Sequence, residues 1–272
     1  MRKNIFSRSV HKEISNTIKQ LKSCNYDYII DAQGLIKSAL VTSLAKGTKS
    51  GLDKNSCKEP LATLFYKNTA AISKKAHAIE RVRMLFSEIL AYKYDPNTLD
   101  YGLTESLNNS NYNKPYLVFL HATSGDYKLW PVEQWVSLRN TALENGFSVY
   151  LPWGSETERL RAEAIANDTE NCHVLPKMNL TEIAALLASA AGVVGVDTGL
   201  AHLAAALSVP GVTIYVDTYP KLTGACGLNQ ICLSKEKLAQ DSSLSTTGLE
   251  SIYSEHLLAS DVWGCLTKNM HR

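Results

Sequence analysis

The run Gly195-Val196-Asp197-Thr198-Gly199-Leu200-Ala201-His202 joins a strand-like apolar stretch to a helix of small residues. A helix start leaves its first amide N–H groups without intrahelical partners, and the aligned peptide dipoles make that end positive, so a diphosphate suits it. Gly199 lets a ligand come close to the backbone. Asp197, ending a buried strand, can accept hydrogen bonds from sugar hydroxyls. His202 lies one turn into the helix, where it either reaches a phosphate or packs as a satisfied core histidine. A second cluster runs from His121 to Lys128. Thr123, Ser124 and Gly125 can offer hydroxyl and backbone donors to a phosphate, and Lys128 adds a point charge. Its glycine spacing is not that of a P-loop, and the same composition also suits a helix cap. In the third cluster, Pro152–Glu158, two carboxylates (Glu156, Glu158) fall at a helix start. The macrodipole alone favours them there, yet either can also accept from ribose hydroxyls. The fourth, Asp217–Gly224, reads as turn chemistry. Asp31–Ala39 is the corresponding cluster in the front half.

Each cluster follows a strand-like run. From residue 116 the chain alternates regularly, with strands expected at 116–121, 147–151, 172–175, 193–196 and 212–215. Helices are expected between them at 132–144, 156–167, 180–190 and 200–207. Such spacing implies βαβ units and a parallel sheet covered on both faces, a Rossmann-like domain whose ligands lie at the carboxyl ends of its strands. The front half holds an amphipathic helix through Val10, Ile14, Ile18 and Leu21, a short strand at 28–31 and helices at 35–46 and 61–67. A further helix carries Ile79, Val82, Phe86, Ile89 and Leu90. The organisation expected is a domain over 1–92, a polar linker over 93–115, a nucleotide-sugar-binding domain over 116–245 and a C-terminal helical segment over 246–272. That last segment would include an amphipathic helix through Leu249, Ile252, Tyr253 and Leu257.

Composition narrows the classes. The chain of 272 residues is 45% hydrophobic and 20% charged, which excludes disorder. No stretch reaches the ~20 apolar residues of a membrane span. The N-terminus lacks the apolar block of a secretory signal, so the chain is expected to be cytoplasmic. Six scattered cysteines form no CxxC pair, and no HExxH pattern appears, so neither a metal site nor a disulfide framework is expected. Nucleic-acid binding is not expected either, since no base-stacking aromatic array is present. Residues 1–92 hold sixteen basic against seven acidic side chains, a net +9, and the remainder carries −7. A basic front half suits an anionic partner or simply a solvated surface.

In order along the chain stand DAQGLIKSA (31–39), KEPLATLFY (58–66), LHATSGDYKLWP (120–131), LPWGSETE (151–158), VLPKMNL (174–180), VGVDTGLAHLAAAL (194–207) and LTGACGLNQ (222–230). Together they resemble the lipopolysaccharide heptosyltransferases of glycosyltransferase family 9, with LPWG and LTGxxGxNQ favouring type I members over type II. The resemblance implies an α/β, GT-B fold of two Rossmann-like domains facing a cleft, here with a truncated front domain. It implies inverting transfer of L-glycero-D-manno-heptose from ADP-heptose to Kdo of Kdo2-lipid A, without metal or cofactor, at the cytoplasmic face of the inner membrane in peripheral contact with it. By matched position, Thr123, Ser124 and Lys128 would meet the donor phosphates and sugar, Glu158 the nucleoside, and Asp197, Thr198, Gly199 and His202 the heptose and diphosphate. Lys128 and Asp197 would be catalytic, and Arg2, Lys3 and Lys58 would bind the acceptor. Two departures stand out. Family members open with an additional strand and an SSMGD-like loop whose Asp is the general base, so this chain is expected to be weak or inactive as given. Val216 stands where the family has Gly. The alternatives are a non-catalytic ADP-sugar-binding remnant or a heptosyltransferase of type II or III.

Overall fold

A computed structural model describes residues 8–103, 114–235 and 248–271, with residues 8 and 9 described by backbone alone. The chain divides into two compact units, Met1–Asp95 and Pro96–Arg272.

The first unit runs α1 (Arg8–Ser23), β1 (Asn25–Asp31), α2 (Ile36–Leu44), β2 (Lys46–Leu52), a 3-10 helix (Pro60–Phe65), β3 (Asn68–Ala70) and α3 (Ala78–Leu90). Its sheet is parallel in the order β1-β2-β3. Leu52, Cys57, Ala70, Ile72 and Leu85 form its buried cluster. Two expectations are corrected here. The helix over 35–46 stops at Leu44, and Lys46–Leu52 is a strand that the sequence hides behind two glycines and two lysines. In place of the helix over 61–67 stands a 3-10 helix, Pro60–Phe65, with proline at its first position.

The second unit contains β4 (Tyr116–Leu120), α4 (Val132–Glu144), β5 (Ser148–Leu151), α5 (Glu156–Ala166), β6 (Cys172–Val174), α6 (Leu180–Ala188), β7 (Gly192–Val196), α7 (Gly199–Ala206), β8 (Gly211–Tyr215), α8 (Pro220–Thr223), β9 (Gln230–Ser234), β10 (Glu250–Tyr253) and α9 (Ala259–Met270). The described strands make a seven-stranded parallel sheet in the order β10-β9-β8-β7-β4-β5-β6. β4, β7, β8 and β9 are buried along their whole length, which explains their unalternating apolar sequences. One face carries Phe119, Trp130, Trp135 and Leu138 with Val262 and Leu266 of α9; the other carries Tyr116, Val118, Ile183 and Leu187. Gly192 lets α9 close on the sheet, since a Cβ there would stand 3.0 Å from the Leu266 side chain. The expected helix through Leu249–Leu257 is corrected: residues 250–253 are edge strand β10, paired with β9. Leu249, Ile252, Tyr253 and Leu257 fall at helical spacing, and pairing with β9 overrides that local pattern.

The sheet order dictates where ligands go. From β4 the chain adds β5 and β6 on one side, then returns to place β7 on the other. The carboxyl ends of β4 and β7 therefore flank the switch point of the fold. The clusters at 121–128 and 197–202 both emerge there.

Candidate active site

At the switch point three side chains converge on Asp197. The Lys128 Nζ stands 2.7 Å from its Oδ2, and the Thr218 hydroxyl donates to the same oxygen at 3.0 Å. The Thr123 hydroxyl donates to the Asp197 backbone carbonyl at 2.7 Å, tying the loop after β4 to the end of β7. Lys128 owes its position to a short 3-10 turn, Asp126–Lys128, whose final residue returns toward β7. The two charged side chains are 19% and 18% exposed, dry enough for the pair to matter and open enough for a ligand to reach. Its hydrogen bond to Asp197 holds the Lys128 ammonium above the ordinary lysine range, against a smaller opposing push from burial.

Beside this pair lies a pocket of about 280 Å³ lined by His121, Thr123, Ser124, Trp153, Gly154, Glu158, Met178, Ile183, Thr198 and Leu200, among others. Four of the residues expected to bind a donor, Thr123, Ser124, Glu158 and Thr198, share its wall. Thr198 precedes α7 without capping it by its side chain, so its hydroxyl is not spent on the helix. Gly199 opens α7, and a Cβ at that point would meet nothing within 4 Å. The space there is open toward a ligand, and the glycine is not required by a positive φ. His202 is half-buried one turn on; burial lowers its pKa, with the Asp197 charge acting weakly the other way, so it presents a neutral imidazole at pH 7. Glu158 has a double identity. Its Oε2 accepts from the Gly154 and Ser155 amides at 2.7 and 3.2 Å, closing a capping box with the Ser155 hydroxyl. The same side chain lines the pocket. Glu156 is instead committed to Arg159 on the exposed side of α5.

A second pocket, about 390 Å³, opens along Tyr127, Tyr215, Val216, Asp217, Thr218, Tyr219 and Lys235. Thr218 is a site residue that the sequence does not single out: its cluster reads as turn chemistry, and only the pairing of β8 beside β7 brings it to Asp197. Val216 keeps an ordinary backbone with negative φ, so replacement of a family glycine costs no strain there. His121 is fully buried at the end of β4. Burial, reinforced by the neighbouring Arg161 charge, pushes its pKa down to about 4, and the Pro152 backbone offsets this only slightly.

In the first unit, Asp31 is consumed by its own loop. Its Oδ1 accepts from the Gln33 amide at 2.9 Å, and its Oδ2 from the Ser38 and Tyr66 hydroxyls at 2.7 Å each. Gly34 follows at φ +63°, where a Cβ would lie 2.7 Å from the Cys57 Cβ. The DAQG cluster therefore shapes a turn. Lys58 lines a pocket of about 370 Å³ with Gln33, Ser56, Lys74 and Arg81. Arg81 also donates to the Ser56 carbonyl at 2.8 Å. Lys74 and Arg81 were not singled out from sequence, because they lie sixteen and twenty-three positions beyond Lys58. Arg2 and Lys3 lie outside the described residues. Among the described residues no group of three or more His, Cys, Asp or Glu is placed to hold a metal ion, and no helix is long and apolar enough to cross a membrane.

A parallel sheet with a basic side chain and a carboxylate at its switch point, beside helix amides without a side-chain cap, is an arrangement suited to an anionic ligand on an α/β scaffold. The comparisons with known proteins place it within a family. Residues 14–252 match the family model for glycosyltransferase family 9 (heptosyltransferase), and the chain belongs to that family. It is 44% identical over 237 residues to lipopolysaccharide heptosyltransferase 1 of Pseudomonas aeruginosa, covering 86% of this chain and 67% of that protein. It is 42% identical over 252 residues to the Salmonella typhimurium protein of the same name, covering 91% and 80%. Its structure is similar to that of the E. coli heptosyltransferase WaaC with ADP, at a TM-score of 0.86 and 39% identity, over 98% of this chain and 80% of that one. The fold class is accordingly GT-B, as the sequence resemblance implied. Likeness to E. coli heptosyltransferase II is weaker, with a TM-score of 0.66 and 20% identity, over 95% of this chain and 82% of that one.

Proposed function

We propose that this chain binds ADP-heptose across the switch point of its second unit and transfers the heptose, with inversion, to Kdo of Kdo2-lipid A in assembly of the lipopolysaccharide inner core. The observation that carries the reading is the convergence of Lys128, Thr123 and Thr218 on Asp197 beside a pocket walled by Ser124, Glu158 and Thr198. Its support from relatives is the similarity to WaaC structures with ADP and with ADP-2-deoxy-2-fluoro heptose.

In this reading the nucleoside occupies the pocket near Glu158, and the diphosphate spans from Thr123 and Ser124 to the Gly199 end of α7. Asp197 holds the sugar hydroxyls, and His202 donates to a phosphate oxygen. An acceptor hydroxyl attacks the anomeric carbon as the bond from that carbon to the β-phosphate oxygen breaks. The bonding pair leaves with ADP, and the hydroxyl proton passes to a base. Negative charge then grows on the departing phosphate, where the Lys128 ammonium and the α7 amides are already oriented. No metal is invoked. The acceptor's acidic groups meet Lys58 together with Lys74 and Arg81, with Arg2 and Lys3 from the basic N-terminal segment. The enzyme works in peripheral contact with the inner membrane on its cytoplasmic side.

Incubation with ADP-heptose and Kdo2-lipid A, followed by mass spectrometry of the lipid, tests this. The expected result is a heptose added to the acceptor at a low rate, with release of ADP. Donor binding by calorimetry without any transfer would favour the second reading, a donor-binding protein that does not catalyse. Absence of both would defeat the proposal.

A further inference from the structure

The first unit presents an apolar surface that its own core does not use. In the 3-10 helix Pro60–Phe65, residues three apart eclipse one another, so Leu61 and Leu64 stack on one side. They are 63% and 79% exposed. Ala62 faces the other way, fully buried against Ala39 of α2 and Tyr66. On α2 the outward arc holds Ile36, Leu40 and Val41, the last two about half exposed. The Ile36 amide donates to the Glu59 carboxylate at 2.6 Å, which fixes the start of α2 beside the start of the 3-10 helix. Five apolar side chains thus stand outward on two elements that are locked together. A solvated surface has no use for leucines at these exposures, and grouped apolar residues of this kind mark a docking face.

Charge identifies the occupant. Lys37 lies on the same outward arc of α2, and exposed Lys58 and Lys67 flank the 3-10 helix on either side. Glu59 is the acidic neighbour, and its carboxylate is engaged by the Ile36 amide. Leucines rimmed by lysines match an anionic lipid surface, where apolar side chains enter the headgroup boundary and ammonium groups meet phosphates. We propose that Ile36, Leu40, Leu61 and Leu64, with Lys37 and Lys67, form the face by which this protein settles on an anionic bilayer. The inference rests on the reading that the acceptor is a lipid. It adds the surface that brings the basic Lys58 pocket to the level of that lipid's headgroup.

Vesicle co-sedimentation tests it, using phosphatidylglycerol-rich and purely phosphatidylcholine vesicles. Wild type is expected to bind the anionic vesicles and to bind the neutral ones weakly. Leu61→Ser/Leu64→Ser should abolish most of the binding, and Lys37→Glu/Lys67→Glu should weaken it by about fivefold or more per lysine. All four positions are exposed, so circular dichroism and ADP calorimetry of both variants should match wild type. Leu64→Cys in a Cys24→Ser background, labelled with an environment-sensitive dye, should shift to the blue only when anionic vesicles are added; Cys24 is the exposed cysteine. Equal vesicle binding by wild type and the double serine variant overturns the inference, as does no binding by wild type. A dye already in an apolar setting without vesicles also overturns it, because the face is then covered by the chain itself or, if sedimentation shows a dimer, by a second copy. Retained ADP binding in any of these cases leaves the donor site standing. Loss of ADP affinity in wild type with vesicle binding intact would sink the functional reading and spare the surface.

Discussion

Replacing Lys128 by alanine isolates the electrostatics of the site. In the wild-type chain the ammonium lies 2.7 Å from Asp197 Oδ2, and Thr218 is the other donor to that oxygen. Removing the lysine leaves a carboxylate, less than a fifth exposed, facing the place proposed for the two phosphoryl groups. Two unit charges about 4 Å apart interact by about 1 kcal/mol in bulk water and about 4 kcal/mol at an effective dielectric of 20. The variant should therefore lose about 1–4 kcal/mol of ADP affinity, roughly fivefold to a thousandfold, with loss of the direct contact and the new repulsion acting together. Lys128→Ala/Asp197→Ala should recover part of that loss, because the repelling carboxylate is gone, and the coupling in the double-mutant cycle should be about 1 kcal/mol or more. Isothermal calorimetry at low and high salt measures this, with the gap between wild type and variant narrowing as salt screens the field. ADP binding by Lys128→Ala within twofold of wild type at low salt would refute the reasoning.

Asp197→Ala should reduce heptose transfer well over tenfold in any preparation that shows turnover, while leaving the thermal transition within a few degrees; unchanged turnover would remove its sugar-binding role. Glu158→Gln retains an oxygen for the Gly154 amide but loses the charge at the α5 start, so stability should fall by about 1 kcal/mol at most while affinity for ADP weakens more than affinity for inorganic diphosphate. Equal weakening of both would detach Glu158 from the nucleoside. His121 predicts a pH effect. Its folded pKa of about 4 lies below the free value of 6.5, so the unfolded chain binds the extra proton first as pH falls. Stability of the second unit should be lost progressively from about pH 6.5 down to pH 4, by up to about 3 kcal/mol. A denaturation series in which stability is flat across that window would contradict the buried neutral imidazole. Any turnover should survive EDTA, and complete inhibition by the chelator would contradict a metal-free mechanism.

The second unit was legible because its strands are buried on both faces. Tyr116–Leu120 and Gly192–Val196 read as unbroken apolar runs, and each ends in a polar cluster. Thr123, Ser124, Glu158 and Thr198 could be proposed from position after a strand, and they do line one pocket. The pairing of Lys128 with Asp197 was not readable, since sixty-nine residues separate them and only the return of β7 beside β4 joins them. Thr218 was missed for the same reason. In the first unit, β2 escaped notice because Lys46-Gly47-Thr48-Lys49 carries no strand alternation, and its burial begins only at Ser50. Asp31 looked available for chemistry, whereas four donors from its own loop and Tyr66 account for both oxygens. Sequence gives residue types at strand ends; whether a carboxylate is spent on its own turn or left for a ligand depends on partners brought by the fold.

Amide hydrogen exchange of the intact chain with and without saturating ADP addresses the main claim at the level of individual segments. Slowed exchange concentrated in residues 121–128, 153–158 and 197–202 is the predicted result, with the first unit little changed. Unaltered exchange at 197–202, or protection confined to the first unit, would mean that the end of β7 does not hold the diphosphate.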